Sequence, residues 1–206
     1  MQDNNSEFDP KLMYGNEGKL RDWGRLDPLT QQDALLTAQM LKRNQVIPAP
    51  KAKGEKIVIL SPSSNVGFYE AMIKAAFGNE YIVIAGDIAE VERFKHGEAT
   101  HVQLDANLLP FPNQSLHVIF DRQGALWHAA YADLQARTTV NTSRLFEEYH
   151  KKLQYGGLLI TDQQVIAKLP TAPMIDRVYQ NKRPTGFMNP YTVGEANWQY
   201  RVYRNL

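Results

Sequence analysis

The chain has 206 residues, 43% hydrophobic and 22% charged, a globular composition long enough for one sizeable core and too short for two full domains. It contains no cysteine, which excludes a disulfide framework, a thiolate metal site and a cysteine nucleophile. A formal charge of +1 gives no general pull toward nucleic acid, and no apolar run approaches the roughly 20 residues that cross a bilayer.

Residues 1–28 mix Asn, Asp, Gly and Lys with the aromatics Phe8, Tyr14 and Trp23 without periodicity, and read as a tail or a lid. The opening residues are polar and acidic, so no secretory signal is visible and a cytoplasmic location is expected. Thr30 with Asp33 three positions on resembles a helix start, and Ala34, Leu35, Ala38 and Leu41 follow at helical spacing, which predicts a helix over 30–43. "VIPAPKAKGEK" is a Pro/Gly/Lys connector. The expected division is an N-terminal extension or lid with one helix over 1–50 and an α/β domain over 51–206.

From there strands and helices alternate. Residues 57–60 are a continuous apolar run suited to a strand covered on both faces, and 68–77 read as a helix ended by Gly78. "YIVIAGD" is a second buried strand, 90–94 a short helix, and "HVQLD" and "LHVIFD" two further strands, each ending in aspartate. Residues 144–153 form a helix with Leu145, Phe146, Tyr149 and Leu153 on one face, and "GGLLITD" supplies a fifth strand. The tail differs. "VIAKLP" and "WQYRVYRNL" read as strands separated by a loop carrying Pro173, Pro184 and Pro190, and the alternation in the second suits a half-exposed strand. Strands alternating with helices predict a parallel sheet with helices on both faces.

In such a sheet ligands bind beyond the carboxyl ends of the strands, where the strand order reverses. The candidate residues are therefore Ser61, Ser63, Asn65 and Gly67 after the first strand, Asp87 and Ile88 after the second, Asp105 and Ala106 after the third, and Asp121 and Arg122 after the fourth. The aspartates also suit plain strand-end turns or helix caps.

The order and spacing from about residue 56 to 160 resemble the class I S-adenosylmethionine-dependent methyltransferases. "VIAGDIAE" resembles their second strand, which implies that Asp87 binds the ribose hydroxyls. "LDANLLPFPNQSLHVIF" resembles their "DA…LPF…SFDVV" stretch, which implies that Asp105 and Ala106 meet the adenine. "LQYGGLLI" resembles their helix, glycine turn and fifth strand. The resemblance implies a Rossmann-like methyltransferase fold: an α/β, mostly parallel seven-stranded sheet with helices on both faces and a C-terminal antiparallel strand pair. It departs at "LSPSSNVG". With Gly67 aligned to the last glycine of the family's acid-x-Gly-x-Gly-x-Gly turn, Ser61 stands where the acid belongs and Ser63 and Asn65 replace two glycines. Loss of the acid removes a partner for the methionine ammonium, while serine and asparagine leave the turn itself feasible. "FDRQGALWHA" resembles the "DRGAL" stretch of thiopurine methyltransferase-like enzymes, with Gln123 as one extra residue.

The function these features imply is methyl transfer from S-adenosylmethionine to a small-molecule acceptor. His128, beside Trp127 and Tyr131, is the candidate base, and Arg122 the candidate contact for an acidic substrate or a partner for an aspartate. The alternative is an inactive methyltransferase-like subunit that binds another protein. A dinucleotide-binding Rossmann protein is disfavoured by the absence of a Gly-x-Gly-x-x-Gly fingerprint. No metal site, membrane contact or nucleic-acid partner is argued.

Overall fold

A run of apolar side chains on one strand needs cover on both faces, and strand β1 (Ile57–Ser61) has it, with Ile59 and Leu60 almost wholly buried. In the computed structural model, which describes residues 28–64, 67–88, 98–122, 124–162, 186–188, 190–195 and 198–206, β1 lies near the middle of a seven-stranded sheet. It pairs in parallel with β2 (Tyr81–Asp87) on one side and β4 (Leu116–Asp121) on the other. Strand β3 (Thr100–Gln103) extends the sheet beyond β2, and β5 (Leu153–Asp162) extends it beyond β4. The antiparallel strands β6 (Tyr191–Glu195) and β7 (Trp198–Arg204) complete the order β3-β2-β1-β4-β5-β7-β6.

Four helices cover the two faces. Helix α1 (Pro28–Arg43) and helix α2 (Phe68–Phe77) enclose one core, in which Ala38, Leu41 and Ile73 meet Ile57, Ile59, Val118, Phe120, Ile160 and Val202. Helix α3 (Ala125–Ala136) and helix α4 (Val140–Lys152) enclose the other, in which Leu126, Ala130, Leu145 and Tyr149 meet Leu60, Ile84, Ile119 and Leu159. Neighbouring residues of one strand thus serve opposite cores, and each fully buried aliphatic side chain contributes roughly 1.5–3 kcal/mol. The α/β class, the parallel centre and the antiparallel C-terminal pair are as the sequence pattern predicts.

Several local expectations change. Helix α1 opens at Pro28, where a proline loses no helical hydrogen bond, so Asp33 lies a full turn inside rather than at the start. Leu153 leaves the helical conformation at φ −70°, ψ 135° and is the first residue of β5, since α4 runs into the strand with no connecting loop. Gly156, at φ 74°, belongs to a bulge: opposite Leu116 stands Leu153, but opposite Val118 stands Leu158. The first member of the antiparallel pair was expected at 165–170, which lies outside the described residues; the strand paired to β7 is Tyr191–Glu195, beyond Pro190 in the expected loop. Strand β7 is not half-exposed. It sits between β5 and β6, so Tyr200 and Val202 enter one core while Tyr203 enters the other. The expected helix at 90–94 and the aromatics of the N-terminal segment lie outside the described residues. Among the described residues no helix is long and apolar enough to cross a membrane.

Candidate functional site

The chain steps outward from β1 to β2 and β3, then returns to the other side of β1 as β4, so the strand order reverses between β1 and β4. All five parallel strands end on the same edge, and the residues that follow β1, β2 and β4 converge at that reversal.

After β1 the chain makes a tight turn tied to its neighbour. The Ser64 N–H donates to the Gly86 carbonyl at the end of β2 (2.8 Å), and the Gly67 N–H donates to the Ser64 carbonyl (2.9 Å). Gly67 takes φ 78°, ψ 22°, the left-handed region, immediately before α2. A Cβ there would lie 2.4 Å from Cε1 of His101 and 3.2 Å from Cβ of Ala85, so conformation and space both require glycine. Serines at 61 and 63 have therefore not cost the turn its left-handed glycine. Ser61 is buried, Ser63 is partly buried, and Asn65 lies outside the described residues.

The other strand ends differ among themselves. Asp87 is buried at the end of β2, and its carbonyl accepts from the Leu104 N–H (2.8 Å), which binds the β3 exit to it. Ile88 is partly exposed, and its carbonyl accepts from the Gln103 side chain (3.1 Å). Asp105 is exposed and closes its own turn, its Oδ1 accepting from the Asn107 backbone N–H (2.8 Å) and side-chain amide (3.0 Å). Ala106, next to it, is buried in the core beside Leu104 and Leu109.

Asp121 ends β4 inside the protein. Its Oδ2 accepts from the Leu126 N–H in the first turn of α3 (3.0 Å) and from the Tyr149 hydroxyl of α4 (2.7 Å), so it fastens two helices to the strand. Burial pushes its carboxyl up to about 6 against the pull of these donors. The turn that follows touches the β1 turn: a Cβ on Gly124 would come within 2.1 Å of Asp121 Oδ1 and 3.0 Å of Cβ of Ser63. Within α3, Trp127 stacks on Tyr131 (5.8 Å between ring centroids, 5° between planes) and meets His128 edge-on at 4.8 Å. His128 is thus held against an aromatic pair, of which Tyr131 is exposed.

A polar cluster spans the gap between α1, α2 and the β4 exit. Arg122 donates from Nη2 to Asp33 Oδ2 (2.7 Å), and the Tyr69 hydroxyl donates to the same oxygen. The Arg122 guanidinium also lies 4.0 Å from the centre of the Tyr69 ring. Arg122 is thereby engaged by an aspartate far away in sequence, the second of the two roles considered for it. Behind this pair stands Glu70, in the first turn of α2, only 3% exposed. Burial pushes its carboxyl up to about 7, opposed by a hydrogen bond from the Ser61 hydroxyl, one from its own N–H and the charge of Arg122, and assisted by the charge of Asp87. Its Oε2 has no hydrogen-bond partner among the described residues. No reading of strand ends finds Glu70, because it belongs to a helix. The available signal is its spacing: with Ile73 and Phe77 it lies on the inner stripe of α2, where a carboxylate is out of place.

The structure therefore brings Ser61, Ser63, Gly67, Asp87, Arg122 and Glu70 to the same edge of the sheet at the reversal, while Asp121 serves as a fastener and Asp105 as a turn residue. These residues fit S-adenosylmethionine: a buried carboxylate at the end of β2 suits a ribose diol, and a carboxylate oxygen left unpaired suits an ammonium. Among the described residues no group of His, Asp or Glu could hold a metal ion.

No protein-family profile and no curated protein matches the sequence. Solved structures do. The PH0226 protein from Pyrococcus horikoshii OT3 superposes with a TM-score of 0.59 at 12% identity, over 90% of this chain and 98% of its own. A SAM dependent methyltransferase from Aquifex aeolicus gives 0.54 at 14%, over 87% of this chain and 98% of its own. The CurJ carbon methyltransferase gives 0.62 at 14%, over 97% of this chain but only 61% of that one. At such identities the likeness establishes the fold, which is that of the class I S-adenosylmethionine-dependent methyltransferases.

Proposed function

We propose that the protein binds S-adenosylmethionine at the carboxyl ends of β1 and β2 and transfers its methyl group to a small-molecule acceptor. The observation that carries this reading is the buried Asp87 at the end of β2, next to Gly86, whose carbonyl ties down the β1 turn, together with the left-handed glycine that ends that turn. Asp87 holds the ribose hydroxyls, and the exposed turn at Asp105 with Ala106 beneath it bounds the adenine. Gly67 lets the backbone come close.

The bound cofactor supplies an activated methyl group on a sulfonium, so the protein's own share is alignment, exclusion of water and removal of a proton. His128, presented beside Trp127 and Tyr131, is the residue for the proton. Arg122 steadies the crevice wall through Asp33 and Tyr69 rather than meeting the acceptor first.

Titration calorimetry of the purified protein with S-adenosylmethionine and S-adenosylhomocysteine tests the reading. Dissociation constants in the micromolar range are expected, and Asp87→Asn weakens binding about tenfold or more, the scale of a lost hydrogen bond to a charged group. Absence of binding at millimolar ligand overturns the reading and leaves the fold as a protein-binding scaffold. With an acceptor in hand, His128→Ala lowers turnover by about 100-fold; unchanged turnover removes His128 from the mechanism.

A further inference from the structure

Position 61 is where the resemblance expects an acid, and it carries serine. Glu70, buried in the first turn of helix α2, lies near enough to Ser61 for the serine hydroxyl to pull its carboxyl down, so helix α2 brings a carboxylate to the end of β1. Glu70 is 3% exposed, and its Oε2 has no hydrogen-bond partner among the described residues. A side chain needed only to fill the space between α2 and the sheet would be apolar, as Ala71 and Ile73 beside it are. Instead a buried acid is kept, held from one side by the Ser61 hydroxyl and its own N–H. Arg122 is near enough to attract it, and Asp87 to repel it.

We propose that Glu70 has taken over the role of the missing acid and receives the ammonium group of the methionyl part of S-adenosylmethionine, with Ser61 orienting its carboxylate. This rests on the reading above that the crevice binds that cofactor. Acid and hydroxyl together replace what one strand-end carboxylate would do alone. The sequence change at 61 is then a relocation of charge, compatible with a working site.

The experiment compares two ligands by titration calorimetry at about pH 8, where Glu70 is ionised in the free protein. S-adenosylhomocysteine carries the ammonium; 5′-methylthioadenosine keeps the nucleoside and the thioether but lacks the amino acid part. Glu70→Gln is expected to weaken S-adenosylhomocysteine about tenfold or more while leaving 5′-methylthioadenosine within about twofold, and Asp87→Asn to weaken both. Glu70→Gln with Ser61→Asp, which puts the acid back on the strand, is expected to recover the loss. Thermal unfolding of each variant confirms that it is folded. Equal losses for the two ligands in Glu70→Gln, or no loss for either, overturn the role of Glu70 and leave the cofactor assignment standing. If the unaltered protein binds neither ligand, the cofactor assignment itself fails and this role falls with it.

Discussion

Asp121 and Glu70 are both buried at the reversal of strand order, near Asp87, and the protein treats them differently. Asp121 ends β4 and Glu70 reaches the end of β1; burial raises both, to about 6 and about 7. Asp121 is met by the Leu126 N–H and the Tyr149 hydroxyl, two donors from two helices on one oxygen. Glu70 is met by the Ser61 hydroxyl and its own N–H, and each acid keeps one oxygen, Oε2 of Glu70 and Oδ1 of Asp121, with no hydrogen-bond partner among the described residues. Equal burial leaves the source of the donors to separate them: those on Asp121 come from two other elements, α3 and α4, and tie them to the strand, whereas those on Glu70 are the Ser61 hydroxyl and its own backbone. Burial alone would have marked both as functional, and the hydrogen bonds decide.

Removing each acid should expose that difference most plainly. At pH 5, where both carboxyls are largely protonated, Asp121→Ala strands two buried donors and is expected to lower unfolding free energy by about 3 kcal/mol in urea denaturation. Glu70→Gln under the same conditions should change it by less than about 1 kcal/mol. Comparable losses would erase the distinction drawn between them.

The pH dependence sharpens it. Each folded-state value lies above the ordinary one, 3.8 for Asp121 and 4.5 for Glu70, so the folded protein retains protons that the unfolded chain has released. Stability from these groups is therefore full below the ordinary carboxylate range and is lost as the pH rises through about 6 and about 7. For Glu70 the gap between 4.5 and about 7 amounts to about 3 kcal/mol at most. Glu70→Gln should recover most of that share at pH 8 and leave the Asp121 share in place. A stability profile between pH 5 and 8 that Glu70→Gln does not flatten would count against a buried, ionising Glu70.

The two glycine turns give a smaller, parallel contrast. Gly67→Ala forces a left-handed alanine and drives its Cβ onto His101, and should lower stability by about 2 kcal/mol, of which His101→Ala relieves only the steric part. Gly124→Ala acts through Asp121, whose Oδ1 lies 2.1 Å from the new Cβ, so its effect should largely vanish in an Asp121→Ala background. Full additivity would show that Gly124 acts independently of the fastener.

The smallest effect concerns a conservative change at Arg122. Its ion pair with Asp33 is mostly buried, with side-chain exposures of 14% and 11%, and Arg122→Lys, which keeps the charge but loses the planar fork, should lower stability by about 1 kcal/mol, whereas Arg122→Gln leaves Asp33 without that charge and costs about 3 kcal/mol. The same change removes the positive charge that opposes the rise of Glu70, so the midpoint of the Glu70 titration should move upward. Asp121 is met by the Leu126 N–H and the Tyr149 hydroxyl, and its midpoint should move less.

Much of the fold is legible in the sequence because its signals are local. The strands at 57–60 and 81–87 are unbroken apolar runs, the helix at 68–77 runs to Gly78, and such patterns depend only on side chains a few positions apart. Asp87 and Gly67 could be marked as candidates for the same reason: each ends a readable strand or precedes a readable helix. What the sequence could not place depends on partners far along the chain. Tyr191–Glu195 is a strand because β7 is beside it, and β7 is buried on both faces because β5 and β6 flank it. Asp33 looked like a helix start until Arg122, from the end of β4, met it. Glu70 looked like an ordinary helical glutamate until the packing of α2 on the sheet carried it to Ser61. Local periodicity specifies which segments become strands and helices. Which buried charges meet across them is set only when the layers close, because hydrogen bonds and charge act over a few ångströms in space, whatever the separation in sequence.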